Sequence, residues 1–407
     1  MNILKLSLRN TSRNKQRAAV TILSMAFACS MMILFSSMMA GMVVGSERQV
    51  VEMNMGDIQI HPHGYLDDPD IYNRIHHSQA ILTQLQNMGI NASPRLYAFG
   101  LMATHATSSG ASLRGIDLHR EKRVTKLYQH VAKGSWLDEA KPKAVVLGKK
   151  MAATLGVDIG DELIFIGQSA DGFMANDIFT VGGILKSVSD GIDRSGVFML
   201  MPTFRTLMAI PEGVHEIILR KPNPHSDLSR LTEQIKQLVP QYEVKNWKQL
   251  MPVVARMLET ADAQTMIMLT ITYIAVASII LNAMLMTVFE RMHEFGIMKA
   301  IGVRPWQIVQ MIFAETIIQA LIASAIALML GWWVSDYFAV HGIDMSIIMD
   351  GSVSIGGLAF DPVWYTYITQ GVLLTPIAFL IIIALLAVVY PAWKAAWVNP
   401  IDAIHYQ

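Results

Sequence analysis

The chain has 407 residues, 53% of them hydrophobic and 16% charged, with 32 basic and 32 acidic side chains in balance. A mean hydropathy of +0.38 excludes an ordinary soluble protein and points to a membrane protein with room for one soluble domain. The zero net charge gives no argument for nucleic acid, and a single cysteine, Cys29, excludes a disulfide framework.

Residues 1–17 form a basic leader, with Lys5, Arg9, Arg13, Lys15 and Arg17, no acid, and Leu4, Leu6 and Leu8 set among the charges. Residues 18–46 carry no charge and exceed the roughly 20 residues that cross a bilayer, which predicts the first span. A cleaved signal peptide fits less well, because the run is about twice an ordinary apolar region and lacks a clear small-residue cleavage site after it.

Residues 47–262 are enough for a folded domain, and without a cysteine it must be held by its core. Strands are predicted over "DIQIH", "RLYAFGLMAT", "ASLRGI", "DELIFIG", "DIFTVGGIL", "GVFMLM" and "HEIILR", and helices over "SQAILTQLQNM", "GKKMAATLGV" and "DLSRLTEQIKQLV". Their alternation predicts an α+β domain. "GSERQVVEM" and "WKQLMPVVARMLETADAQ" read as helical extensions of the flanking spans, a stalk in which Pro252 sits early or kinks the helix. A central subdomain is expected at about 113–202, with "GQSADGFMAND" as the polar tip of a hairpin. Exposed loops on rigid strands often carry contacts, so Gln168, Asp171, Phe173 and Met174 are candidate partner residues. His61, His63, His76 and His77 are the nearest approach to a metal site, but Pro62 interrupts them and no acid or thiol is suitably spaced.

Residues 263–289, 306–340 and 367–390 predict three further spans, separated by a loop at 290–305 and another at 341–366, with a tail at 391–407. Basic residues lie in the leader, at Arg291, Lys299 and Arg304, and at Lys394, while His341 to Trp364 has neither Lys nor Arg. The positive-inside rule therefore places both termini and the 290–305 loop in the cytoplasm. The fold expected is a four-span membrane protein with a large α+β domain inserted between the first and second spans. Glu315, about ten residues beyond Pro305, falls within the membrane or at its inner boundary, where it could pair with an arginine of a neighbouring helix.

No phosphate-binding loop, G-x-S-x-G elbow, H-E-x-x-H or paired-cysteine motif occurs, so no catalytic residue or metal ligand is assigned; any ATP must be hydrolysed by another chain. The stretch "ERMHEFGIMKAIGVRPWQI" stands out between apolar runs. Met292, Phe295 and Met298 recur along one side, Arg291, Glu294 and Lys299 take others, and Gly302 and Pro305 end the element. This predicts a short amphipathic helix whose apolar side holds to the membrane and whose charged side meets something in the cytoplasm.

That stretch resembles the E-R-x-x-E-[IF]-G-x-x-[KR]-A-[IL]-G segment of FtsX/MacB-class permeases, the type VII ABC transporters, through Glu290, Arg291, Glu294, Gly296, Lys299, Ala300 and Gly302, with Glu315 following. The closing "YPAWKAAWVNPIDAIHY" is similar to the family's ending through Pro391, Lys394, Ala395, Ala396, Asn399, Pro400, Asp402 and Ala403. The resemblance implies an inner-membrane permease paired with a second copy or a paralogue and driven by a cytoplasmic ABC ATPase dimer. The chain itself would bind no cofactor, with ATP and Mg held by the ATPase. Glu290, Arg291, Glu294, Gly296, Lys299 and Gly302 would form the coupling helix, and ATP binding would close the stalks and act on a substrate outside the membrane. "GDIQIHPHGY" further resembles the opening of the outer domain in LolC/LolE lipoprotein-releasing permeases, through Gly56, Asp57, Ile58, Gln59, Ile60, Gly64 and Tyr65. This implies a periplasmic domain, lipoprotein or other amphipathic cargo, and a periplasmic carrier or adaptor, although "GQSADGFMAND" lacks the proline and arginine of that branch's carrier-binding loop. Met38, Met39, Met42, Met266 and Leu269, near the outer ends of the spans, would meet the cargo or membrane lipids. An FtsX-like activator of a cell-wall hydrolase and a MacB-like tripartite efflux permease are the alternatives.

Overall fold

Among the described residues four helices are long and apolar enough to cross a membrane, and each continues beyond the uncharged run that announces it in the sequence. The computed structural model describes residues 15–223, 226–344, 354–355, 358–359 and 363–397. The leader up to residue 14, Asn399, Pro400, Asp402 and Ala403 of the closing motif, and most of the 341–366 loop lie outside the described residues.

Helix α1 (Lys15–Val50) ends in a π-helical turn, Val51–Met55, closed by the bond from Gly56 N to Val51 O at 2.9 Å. There follow β1 (Ile58–His61), α2 (Ser78–Asn87), β2 (Asn91–Ala103), β3 (Ser108–Ile116), α3 (Leu118–Val124), β4 (Val131–Gly134), β5 (Ala144–Leu147) and α4 (Lys149–Leu155). The run continues with β6 (Glu162–Gln168), β7 (Met174–Leu185), α5 (Asp190–Ser195), β8 (Gly196–Leu200), α6 (Met201–Leu207), β9 (Glu216–Arg220), α7 (Leu228–Leu238), β10 (Glu243–Asn246) and α8 (Trp247–Leu250). Then come α9 (Pro252–Glu290), α10 (Met292–Ala300), α11 (Pro305–His341), the short strands β11 (Ile343–Asp344), β12 (Ser354–Ile355), β13 (Leu358–Ala359) and β14 (Val363–Trp364), and α12 (Gln370–Trp397). Pro252 does not kink its helix. Asn246 and Gln249 cap α8 reciprocally, the chain breaks at Met251, and proline takes the first position of α9, where its missing N–H has no partner to lose.

The chain divides into two units, one built on residues 46–257 with 354–359, the other on 15–45, 258–344 and 363–397. In the first unit a 10-stranded sheet runs β10-β1-β9-β2-β3-β8-β5-β7-β4, with β6 bridging β2 and β7. The pairing is mostly antiparallel, with β3–β8 and β5–β7 parallel. Its core gathers Ile60, Leu96, Leu113, Phe165, Phe179, Val197, Ile217 and Ile235. The stretch 113–202 is not set apart as a subdomain: β3 and β5 to β8 belong to the same sheet as β2, and one apolar cluster runs through both. Strands β4, β5 and β10 are too short for alternation to announce them. β4 and β5 exist because the long strand β7 offers both a ladder partner, and β10 because it adds to the edge of the sheet at β1.

In the second unit the four long helices bury Met25, Cys29, Ile33, Tyr273, Ile280, Ile312, Ala323, Leu380, Ala384 and Val388 against one another. Hydroxyls bind across helices: Ser37 Oγ meets Ser335 Oγ at 2.9 Å, and Tyr273 Oη donates to Pro376 O at 2.8 Å. Isoleucines 267, 271 and 274, Met329 and Leu386 face outward. Such outward apolar faces suit lipid, and exposed Trp306 and Trp332 stand about 39 Å apart along α11 at about 1.5 Å per residue, like interfacial anchors.

Candidate functional site

The elbow between α9 and α11 is built by one break, one glycine and one proline. α9 ends at Glu290, and Arg291, no longer helical, starts α10. At the far end Gly302 adopts φ +95°, with open space around it, and Val303 N returns to Met298 O at 2.9 Å. Side chains rarely adopt that backbone conformation, so glycine is required by the turn itself. Pro305 then opens α11, with Arg304 N bonded to Gln307 Oε1 at 3.0 Å.

The apolar side of α10 meets the protein rather than lipid. Met292 and Phe295 are buried in the helix cluster, with Met298 packed against it, because α11 and α12 supply Ile308, Ile312, Ala392 and Ala396 to the same cluster. Arg291 is likewise engaged within the chain. Its Nε lies 3.1 Å from Glu294 Oε2, its Nη1 3.2 Å from Glu315 Oε2, and its guanidinium 5.2 Å from the Phe295 ring centroid. Glu315, buried, thus finds the arginine partner that its depth demands. Nearby, Lys394 Nζ sits 4.5 Å from the ring centroid of Phe289, joining the end of α12 to the same corner. Gly296 is buried, and Lys299 is half-buried, its ammonium pKa lowered by desolvation. The outward surface of the elbow is Glu290, His293, Ile297, Ala300, Ile301, Gly302, Arg304, Pro305 and Trp306, a surface that mixes apolar and charged side chains.

The membrane-side residues separate. Met266 is exposed and Met38, Met39 and Met42 are half-buried, but Leu269 is only 1% exposed and packs inside the helix cluster. Leu269 is therefore a core residue and not a contact surface.

The hairpin tip is shorter than the sequence suggests. Residues 174–177 continue β7 and pair with β6, from Gln168 opposite Met174 to Phe165 opposite Asp177, leaving a turn at 169–173. Asp171 is spent on that turn: it accepts from Ser169 Oγ and from Phe173 N, and the Ser169 bond first of all lowers its carboxyl pKa. Gln168 Nε2 reaches Gly172 O at 3.4 Å. Phe173 and Met174 project instead, 74% and 70% exposed, beside an outward sheet face of Phe99, Leu101, Ile164, Ile166 and Ile178. Sequence alternation marks that face as half of an amphipathic strand pair, yet its outward half is apolar too.

Among the described residues no group of three His, Cys, Asp or Glu side chains is arranged to hold a metal. His61 is buried and lies 3.4 Å from Glu216 Oε1, within a stack formed with Tyr65 and His215. It borders a buried ionic cluster whose members lie far apart in the sequence and share no motif. Arg95, 1% exposed, meets Glu121 Oε1 at 2.5 Å, Glu216 Oε2 at 3.6 Å and the main-chain oxygen of Asn54 at 2.6 Å. Arg114 meets Asn54 Oδ1 at 2.6 Å, and Glu52 holds Arg220 at 2.7 Å and Lys126 at 2.8 Å. Burial works to raise the Glu216 carboxyl pKa, but His61, Arg95 and Tyr97 outweigh it and hold it down to about 2. Burial drives the His215 imidazole down to about 4; neutral, it accepts from Tyr97 N on Nδ1 and bonds Ile71 O through Nε2.

Comparisons agree on two regions. The MacB-like periplasmic core domain matches residues 18–238, and the FtsX-like permease C-terminal region matches residues 266–400. The chain is similar to the lipoprotein-releasing system transmembrane protein LolC of Xylella fastidiosa, 22% identical over 73% of each chain. It is also similar to the macrolide export ATP-binding/permease protein MacB of Bdellovibrio bacteriovorus, 28% identical over 36% of this chain and 20% of that one. Among solved structures, the periplasmic region of MacB from Actinobacillus actinomycetemcomitans covers 50% of this chain and 93% of its own, at 16% identity and a TM-score of 0.37.

Proposed function

This chain belongs to the FtsX/MacB-type ABC transporter permeases, and we propose that it is the non-catalytic transmembrane subunit of an ATP-driven machine in a bacterial inner membrane. Both termini and the elbow face the cytoplasm, and the sheet domain stands in the periplasm. A separate ATPase dimer binds ATP and Mg, and a second permease copy or paralogue completes the assembly. The observation that carries this reading is the elbow. Its inner side is fastened by Met292, Phe295 and the Arg291–Glu315 pair, and its outer side presents Ile297, Ile301 and Trp306. A short helix held from behind, whose exposed side mixes Ile297, Ile301 and Trp306 with Glu290, His293 and Arg304, suits a groove in a soluble partner, and its anchoring to α11 lets a push on the elbow move the long helices. Of the residues first expected to dock, Glu290, Glu294, Lys299 and Gly302 remain candidates for the contact, whereas Arg291 and Gly296 shape the elbow from within.

The cargo we infer is a lipoprotein or similar amphipathic molecule taken from the outer leaflet. The similarity to a lipoprotein-releasing protein supports this, and Phe173, Met174 and the adjoining apolar sheet face are suited to a carrier that holds an acyl chain. Co-purification from native membranes tests both levels. Wild-type chain should bring down an ABC ATPase, and the Glu294→Lys/Gly302→Trp variant should lose it. Absence of an ATPase from the wild type would refute the permease mechanism; a cell-wall hydrolase or an efflux adaptor in place of a lipid carrier would refute the cargo.

A further inference from the structure

The first long helix does not run smoothly into the sheet domain. Its last regular residue is Val50, and Val51–Met55 forms a π-helical turn, a local departure from α-helical geometry of the kind at which helices kink. Three residues of that turn, Glu52, Asn54 and Met55, are nevertheless gripped by the sheet side of the same unit. Glu52 accepts from Arg220 and Lys126, and its main-chain oxygen accepts from Lys126 N at 2.7 Å. The Asn54 side chain takes Arg114, its main-chain oxygen takes Arg95, and Met55 O accepts from Gln59 Nε2 at 2.9 Å. Behind the turn, Gly56 has φ +68°, and a Cβ there would lie 2.8 Å from Leu219 O, so the chain is pressed directly on β9. Arg95 is in turn held by Glu121, whose carboxylate also accepts from Ser93 at 2.8 Å and from Thr125 at 2.9 Å.

Buried ion pairs are weak sources of stability, since apolar side chains of equal volume often serve as well; what they supply is direction. Arg95, Arg114, Arg220 and Lys126 face Glu121, Glu216, Glu52 and Asp57, with no charge of either sign in excess. A balanced, directional lattice around an intrinsically bendable turn resists bending in every direction. We propose that Arg95 is a positioning residue that, with Glu121, locks the Val51–Met55 turn to the sheet, so that the helix end at 46–50 and the sheet move as one body. This rests on the ATP-driven reading above, and it adds that the junction is a clamp and not a hinge.

The test uses the full chain with its co-purified ATPase in lipid nanodiscs, on a Cys29→Ala background, with spin labels at the exposed positions Arg48 and Lys236. In the wild type the label-to-label distance distribution is narrow and identical without nucleotide and after ATP–vanadate trapping. In the Arg95→Met/Glu121→Met variant, which keeps volume and removes both charges, the distribution at least doubles in width and shifts on trapping, while ATP hydrolysis continues. Asn54→Ala, which leaves the ion pair in place, gives an intermediate broadening and covers the case in which the double variant fails to fold. If the folded variants match the wild type in width and in nucleotide response, the clamp is overturned while the permease reading stands. Failure of the wild-type preparation to hydrolyse ATP overturns the permease reading instead.

Discussion

The sheet unit and the helical unit both bury charge, but in different company. In the sheet unit Arg95, Glu121 and Glu216 sit among further arginines, acids, an asparagine and a tyrosine, forming one connected cluster. In the helical unit Arg291, Glu294 and Glu315 form a small group at the elbow, and the long helices otherwise meet through small and apolar side chains and a few hydroxyls. The difference teaches where direction is needed. Helices facing lipid satisfy their own backbone and need only close packing, whereas a sheet joined to a helix end needs its orientation specified.

The largest effect should come from breaking the dense cluster on one side only. Glu121→Leu leaves Arg95 buried without its main partner and should lower sheet-unit stability by about 3–5 kcal/mol in chemical denaturation followed by tryptophan fluorescence. An unchanged midpoint would show that Arg95 can be rehydrated.

Acid should act next, and on the sheet unit first. The folded pKa of His215 lies at about 4, below its ordinary 6.5, so between these values the unfolded chain holds a proton that the folded chain refuses. Stability is then full above about pH 6.5 and lost as pH falls toward 4, by about 3 kcal/mol. Glu216, also depressed, contributes stability present above about pH 4.5 and lost toward pH 2. His215→Gln should remove the upper part of this acid sensitivity; persistence of the whole profile would assign it elsewhere.

A smaller effect is expected at the sparse pair. Glu315→Gln keeps the shape and removes one charge, and should lower the thermal stability of the helical unit by about 2 kcal/mol. Arg291→Lys should fall short of wild type, because lysine cannot serve Glu294 and Glu315 through two separate nitrogens. The smallest effect belongs to Phe173→Ala, which should change stability by no more than about 0.5 kcal/mol, since the ring lies in solvent. Any carrier retained by wild-type membranes should nonetheless be lost.

Much of the fold is legible along the chain, because apolar runs and period-two alternation report what a segment buries by itself. Leu163 and Phe165 facing inward between outward Ile164 and Ile166 are an example. What such patterns miss is anything set by a distant neighbour. The 167–177 loop reads as polar and open, yet Met174 and Asn176 are drawn into the ladder by Gln168 and Ile166. Met292 and Phe295 read as a lipid-facing stripe because the sequence cannot say that α12 closes over them. Arg95 reads as an ordinary charge at the start of a strand, since its partner Glu121 lies on a seven-residue helix that no periodicity predicts.

By itself, the sequence determined the four apolar spans, the α+β insertion after the first, and the elbow marked by Gly302 and Pro305. Hydrophobic length, alternation and backbone constraint are local properties that a chain carries before it folds. Long-range packing makes Leu269 core, turns Arg291 to Glu315, and brings Arg95, Arg114, Arg220 and Lys126 to the Val51–Met55 turn. Those outcomes depend on which charges and faces meet across long separations, and pairing of that kind exists only once the strands and helices have assembled.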